Sequence, residues 1–213
     1  MRVVIMLNGQ PPRWELLRSV VEGADVLVGA DAGAMRLREA GLRIDYVVGD
    51  FDSVSAELLQ SLPAESVVHD PGQEDTDLEK ALRFAVTRWN QPQVVVVGTT
   101  GDRIDHVLGN VCGAVRYADR AFIRFVEDHS IIYFAHRRLQ FDASVGTTVS
   151  LLPLGETEGV RTHGLKWALH GETLTLGTRG VSNVVESSPV SVEWERGHLV
   201  VVRLLGEGEL FRW

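Results

Sequence analysis

The sequence predicts two domains of different class: an α/β domain over residues 1–127, built on an open, mostly parallel sheet flanked by helices, and an all-β sandwich domain over 128–213. Three observations carry that prediction. Up to about residue 127, continuous apolar runs of strand length alternate with stretches of helical pattern, as in a parallel sheet buried on both faces. Several of these runs end in Asn or Asp beside Gly. Beyond residue 127, short strand-like runs are separated by Gly-containing turns such as Glu195-Arg196-Gly197, and no long helical period appears.

Taken in order, residues 3–7 (Val-Val-Ile-Met-Leu) form the first strand, ending at Asn8-Gly9, and a helix follows over 14–22. Residues 25–30 make a second strand that ends at Asp31-Ala32-Gly33, with a helix over 34–40 closed by Gly41. The third strand, Tyr46-Val47-Val48, runs into Gly49-Asp50-Phe51-Asp52-Ser53, and a helix is expected over 54–62. Val67-Val68-His69 is the fourth strand. The helix over 77–89 begins at a capping box in which Thr76 is the N-cap and Glu79 lies three residues on. Val94-Val95-Val96-Val97 is a fifth strand, leading through Gly98-Thr99-Thr100-Gly101 into a segment where, if it is helical, Arg103, His106 and Asn110 share one face. Residues 122–126 complete this layer. In the second domain, strands are expected over 130–134, 148–154, 173–176, 190–194 and 198–205. No stretch recurs at a fixed period.

The 213 residues can bury a full core, and 45% hydrophobic with 23% charged residues is the composition of a globular chain. A net charge of −8 argues against a general nucleic-acid surface, while leaving room for a cationic substrate or for an anion held through a metal. Cys112 is the sole cysteine, so an intramolecular disulfide and a Cys-rich zinc site are both excluded, and its expected place is the core. The apolar start is too short for a signal-peptide core, and no run approaches the roughly 20 residues of a membrane helix, so a cytoplasmic location is expected.

Chemistry concentrates where the strands end, because open α/β sheets bind ligands outside the carboxyl ends of their strands. In an extended segment, Asp50 and Asp52 point the same way and can face one cation, and Mg²⁺ takes a few carboxylate oxygens with water and phosphate oxygens completing its shell. The alternative is an Asx-type turn in which Asp52 or Ser53 caps the next helix. Asp75 and Asp77 form a second i, i+2 pair at a helix start, where the macrodipole alone would favour acids. With Asp31, these five carboxylates fall after strands of one sheet, and they repel unless a cation sits among them. The Gly98-Thr99-Thr100-Gly101 turn offers N–H groups to phosphate, and Arg103 offers a charged fork. The two lysines, Lys80 and Lys166, do not stand in a P-loop pattern, and GxGxxG is missing. His106 is either a base or a hydrogen-bonding residue.

The order Asn8-Gly9, Asp31-Ala32-Gly33-Ala34, Gly49-Asp50-Phe51-Asp52-Ser53, Asp75-Thr76-Asp77 with Glu79-Lys80-Ala81-Leu82, and Gly101-Asp102-Arg103-Ile104-Asp105-His106 with Asn110 resembles the thiamine pyrophosphokinase family. Thr162-His163-Gly164-Leu165-Lys166-Trp167-Ala168-Leu169 and Gly180-Val181-Ser182-Asn183 resemble that family's signatures in the C-terminal half. The resemblance implies transfer of the pyrophosphoryl group of ATP to the hydroxyl of thiamine, giving thiamine diphosphate and AMP, in a Mg²⁺-dependent homodimer. It implies that residues 1–127 bind ATP and metal, and that 128–213 contribute to the thiamine site and the dimer interface. Asp50, Asp52 and Asp77 match the family's metal acids and, with Arg103, its catalytic positions. Asp31, Thr76, Arg103 and Asp105 match positions around the nucleotide. Trp167, Ser182 and Asn183 match positions that hold thiamine, in a pocket completed across the dimer.

Thiamine is a cation with a flat pyrimidine, so a Trp face and an acidic surround suit it. Without the resemblance, Trp167 reads equally as a core aromatic and Ser182-Asn183 as a turn. Two residues depart from the family pattern: Ala32 replaces a common second Gly, and Asp102 replaces a frequent Gly before Arg103. Two other functions remain open on sequence: a Mg²⁺-dependent nucleotide hydrolase or pyrophosphokinase with another acceptor, and a non-catalytic sensor of thiamine or nucleotide.

Overall fold

A computed structural model of the chain describes residues 1–101 and 103–213, so the reading of Asp102 lies outside the described residues. Two compact units are present, residues 1–128 with 210–213, and residues 129–209.

In the first unit, six parallel strands run in the order β6-β5-β1-β2-β3-β4: β1 Arg2–Met6, β2 Val26–Ala30, β3 Tyr46–Gly49, β4 Val67–His69, β5 Gln93–Val97 and β6 Phe122–Glu127. The apolar runs become the inner strands for the reason given above. Val3 to Met6 of β1 and Val94 to Val97 of β5 have no accessible surface, so every side chain on both faces must be apolar. Five helices connect them: α1 Trp14–Val21, α2 Gly33–Glu39, α3 Ala56–Ser61, α4 Asp77–Arg88 and α5 Ile104–Val115. The chain leaves β1 toward β4 and then crosses back to β5, which makes the β1/β5 boundary the point where strand order reverses.

Thr76 caps α4 through both arms of the expected capping box, accepting from the Glu79 N–H at 3.3 Å while the Thr76 N–H reaches Glu79 Oε2 at 3.4 Å. The cap of α3 is Ser55, whose Oγ accepts from the Leu58 N–H, and not Asp52 or Ser53. Cys112 is exposed rather than buried. It lies on the same side of α5 as Ile104 and Leu108, at i, i+4 and i+8, and both of these are also exposed.

The last four residues of the chain return to the first unit. The Phe211 N–H donates to Ser19 Oγ at 3.1 Å, and Trp213 Nε1 donates to the Val20 carbonyl at 2.9 Å. The guanidinium of buried Arg124 lies 4.9 Å from the Phe211 ring and 5.2 Å from that of Trp213.

The second unit is antiparallel throughout. One ladder runs β12-β9-β14-β7, from β7 Ser130–Phe134, β9 Thr148–Pro153, β12 Asn183–Val184 and β14 Leu199–Leu204. The other runs β11-β10-β13-β8, from β8 Arg138–Phe141, β10 Thr157–His163, β11 His170–Leu174 and β13 Val190–Glu193. Burial alternates along β9, where Val149, Leu151 and Pro153 are buried and their neighbours are not, the pattern of a sandwich layer with one face inward. Among these, β8, β10 and β12 were not expected from the sequence, since each carries charged or polar residues through most of its length.

Candidate active site

The rim of acids forms, although strand alternation does not make it. β3 ends at Gly49, before the acidic pair, and Phe51 takes a left-handed backbone with φ of 67°. That conformation costs a bulky residue energy unless packing holds it. Phe51 packs against the cluster of Ala34, Val47 and Leu58, and its ring lies 5.4 Å from that of His69. A turn locked by an aromatic anchor thus brings Asp50 and Asp52 toward one point.

Asp31 meets them there from β2. It too is left-handed, with φ of 44°, and its N–H donates to the Val48 carbonyl at 2.8 Å. Its Oδ1 accepts the Phe51 N–H at 3.1 Å, which ties the β2 turn to the β3 turn. Asp31, Asp50 and Asp52 each offer a carboxylate oxygen within 4.8 Å of the others. Burial, and then the negative charges of Asp52 and Asp50, push the Asp31 carboxyl above its ordinary range. Asp77, at the first position of α4, lies outside that tight group, yet it feels the same field. Desolvation first, then Asp31, raises its carboxyl, while nearby Lys80 opposes the rise. Asp50 goes the other way, because Lys80 Nζ donates to it at 3.1 Å and Gln73 Nε2 at 2.9 Å. Three hard oxygen donors this close, with part of the surround open to water, fit Mg²⁺.

Asp75 points elsewhere. Arg83 spans Asp75 and Asp70, the latter at 2.6 Å, so the second acidic pair divides between an ion-pair network and the rim. Thr76 sits at the α4 N-cap beside Asp77, with its hydroxyl engaged by the capping box. Arg103 and Asp105 are exposed and hold each other, with Arg103 Nε 2.9 Å from Asp105 Oδ1; this pairing draws the Asp105 carboxyl well below its ordinary range. Their guanidinium–carboxylate pair stands at the start of α5, with exposed His106 in the same turn; Asn110, one turn further along on the same side of the helix, is buried.

The Gly98-Thr99-Thr100-Gly101 turn does not hold a free phosphate cradle at Thr99. The Thr99 N–H donates to Glu127 Oε1 at 3.1 Å, and the Thr99 and Thr100 hydroxyls also donate to this carboxylate. The turn is stitched as well to the loop after β1, with the Gly9 N–H donating to the Gly98 carbonyl at 3.1 Å and the Gln10 N–H to the Thr100 carbonyl at 2.8 Å. A Cβ on Gly9 would lie 2.2 Å from the Thr100 oxygen, so only glycine fits there. Sequence reading assigned no role to Glu127, Gln73 or Lys80; the single signal was the Glu79-Lys80-Ala81-Leu82 run after Asp77.

In the second unit, Trp167, Ser182 and Asn183 come together. Asn183 is buried; its Oδ1 accepts from the Trp167 and Val184 N–H groups at 3.1 and 2.9 Å, and its Nδ2 donates to the Trp167 carbonyl at 2.8 Å. The amide therefore pins the backbone that presents Trp167, whose side chain is 57% exposed and not a core aromatic. Lys166 Nζ lies 5.1 Å from the Trp167 ring centre. Ser182 is exposed, with φ of 60°, and its N–H donates to Ser150 Oγ at 3.0 Å.

Fold and rim together define a class: an α/β unit carrying clustered carboxylates at the carboxyl edge of a parallel sheet, followed in the chain by an antiparallel β unit with an exposed, anchored tryptophan. Residues 17–125 match the family model of the thiamin pyrophosphokinase catalytic domain, and residues 136–199 match that of the thiamin pyrophosphokinase vitamin B1 binding domain. The chain belongs to the thiamin pyrophosphokinase family. It is 28% identical to thiamine pyrophosphokinase 1 of Oryza sativa subsp. japonica, over 89% of this chain and 82% of that one. With the thiamine pyrophosphokinase of Bacillus subtilis it shares 27% identity, over 83% and 86% of the two chains. The crystal structure of thiamin pyrophosphokinase from Geobacillus thermodenitrificans superposes with a TM-score of 0.79 at 28% identity, covering 98% of this chain and 99% of that one.

Proposed function

We infer that the chain transfers the pyrophosphoryl group of ATP to the hydroxyl of thiamine, giving thiamine diphosphate and AMP. Family membership over both units carries the reading, and the three-carboxylate group of Asp31, Asp50 and Asp52 is the observation on which its chemistry rests. The thiamine hydroxyl oxygen bonds to the β-phosphorus of ATP as the bridge between the α- and β-phosphorus breaks, so AMP leaves and the hydroxyl proton is released. Holding acceptor and phosphate in line and neutralising charge suffice, with no covalent enzyme intermediate.

Asp31, Asp50 and Asp52 are the residues that would hold Mg²⁺, with Asp77 adding negative charge beside them; when bound, the ion supplies neutralisation of the phosphate oxygens. Asp31, Thr76, Arg103 and Asp105 are assigned to the nucleotide, with Arg103 exchanging its exposed Asp105 partner for phosphate oxygens. Trp167 offers its face to the thiamine cation, Ser182 lies beside it, and Asn183 fixes its backbone. The protein works as a homodimer in the cytoplasm. That location is supported by a lone cysteine with no disulfide to make.

Asp50→Asn tests the assignment. With ATP, thiamine and saturating Mg²⁺, AMP formation is expected to fall on the order of 100-fold or more, while the melting transition stays cooperative. Near-normal rates in the variant would remove Asp50 from the chemistry.

A further inference from the structure

Lys80 is a buried cation in the midst of the acids, only 3% exposed, on the inner face of α4. A lysine ammonium is strongly hydrated, so a chain buries one only where specific partners replace the water. Lys80 lines a cavity of about 560 Å³ together with apolar Val48, Val68 and Phe84 and charged Asp70, Arg83 and Arg88, and its ammonium meets Asp50. Nζ donates to Asp50 Oδ2 at 3.1 Å and lies 3.9 Å from Asp77 Oδ1. Gln73 Nε2 donates to the same Asp50 Oδ2 at 2.9 Å. Two side-chain donors thus gather on Oδ2, and the Asp52 N–H also favours the ionised carboxylate, which leaves lone pairs of Oδ1 to face a cation.

We propose that Lys80 is a positioning residue for the transfer reaction: it fixes the Asp50 carboxylate so that Oδ1 faces the metal, and it offsets repulsion among Asp31, Asp50, Asp52 and Asp77. Such outer partners orient metal ligands, and their loss typically weakens metal binding or activity by about 10- to 100-fold. This inference rests on the reading of the acid rim as the metal site.

The test is Mn²⁺ binding, followed by the electron paramagnetic resonance signal of the free ion, in the wild-type chain, Lys80→Met, Lys80→Arg and Asp50→Asn, alongside steady-state kinetics and a melting curve in chelator. Lys80→Met is expected to weaken Mn²⁺ binding about tenfold or more and to lower kcat to match, with KM for thiamine unchanged within about twofold. Lys80→Arg, which keeps a cationic donor, is expected to recover most of the lost affinity. Should Lys80→Met not fold, Lys80→Gln takes its place with the same expected loss, since it keeps the length and loses the charge. A folded Lys80→Met or Lys80→Gln chain with wild-type Mn²⁺ affinity overturns the inference, as does a loss that Lys80→Arg does not recover. If Asp50→Asn itself leaves Mn²⁺ binding intact, the metal reading of the rim fails; if Asp50→Asn loses binding and Lys80→Met keeps it, only the role of Lys80 fails.

Discussion

Asp31 and Phe51 show how single residues make the rim. Both hold left-handed backbone, which Asp accepts fairly readily but a bulky Phe adopts only with support, and the Phe51 N–H to Asp31 Oδ1 bond joins the two turns. The sequence placed five acids after the strands and, by resemblance, gave the metal to Asp50, Asp52 and Asp77 and the nucleotide to Asp31; the tight group that forms is Asp31, Asp50 and Asp52. The sequence did not announce how they converge, because left-handed backbone at Phe51 is fixed by packing on Ala34, Val47 and Leu58 rather than by residue type. Lys80 and Glu127 were illegible for a related reason: their partners lie 30 and 28 residues away, and no local pattern marks such a pair. Glu127 carries a testable consequence. Burial raises its carboxyl above the ordinary 4.5 despite three donors from Thr99 and Thr100. Because the folded-state value is the higher one, the stability linked to its proton is fully present below the ordinary value and is lost as pH rises through the folded value. In Glu127→Gln that loss disappears, so the Tm of the variant relative to wild type should climb from about pH 4 toward neutrality. A difference that stays constant with pH would contradict the account.

Helix α4 was the most legible element, because its start signal and its amphipathic face agree. Thr76 and Glu79 form both arms of the capping box, and Leu78, Ala81, Leu82 and Ala85 line the buried side. Thr76→Ala should cost about 1 kcal/mol of stability, while Thr76→Ser, which keeps the accepting oxygen, should cost little. Equal melting curves for the two variants would mean that the cap does not hold α4. Helix α5 was less legible. Cys112, as a lone small hydrophobe, was expected in the core, but the structure buries one side of α5 only, where Gly113 comes so close to α4 that a Cβ would lie 2.9 Å from the Glu79 side chain. Strands β8, β10 and β12 escaped notice for a different reason: antiparallel strands with one face toward solvent tolerate charge, as the Arg138–Glu193 pair across β8 and β13 illustrates.

At the scale of the molecule, the change of pattern near residue 127 marks a real change of architecture, from parallel strands with helices to antiparallel ladders. What periodicity could not convey is the return of Phe211 and Trp213 to the first unit, a long-range contact made through Ser19, Val20 and Arg124. The active-site reading divides in the same way. Its acids, Trp167 and Asn183 were visible as motifs, whereas the pairing of Arg103 with Asp105 and of Asp75 with Arg83 depends on geometry alone. The central claim is that these parts together move two phosphates at once onto thiamine. Incubating the purified chain with ATP, Mg²⁺ and thiamine, and separating the products, tests it most directly: AMP and thiamine diphosphate should appear in equal amounts, and neither should form without thiamine. Accumulation of ADP, or AMP released without acceptor, would contradict it.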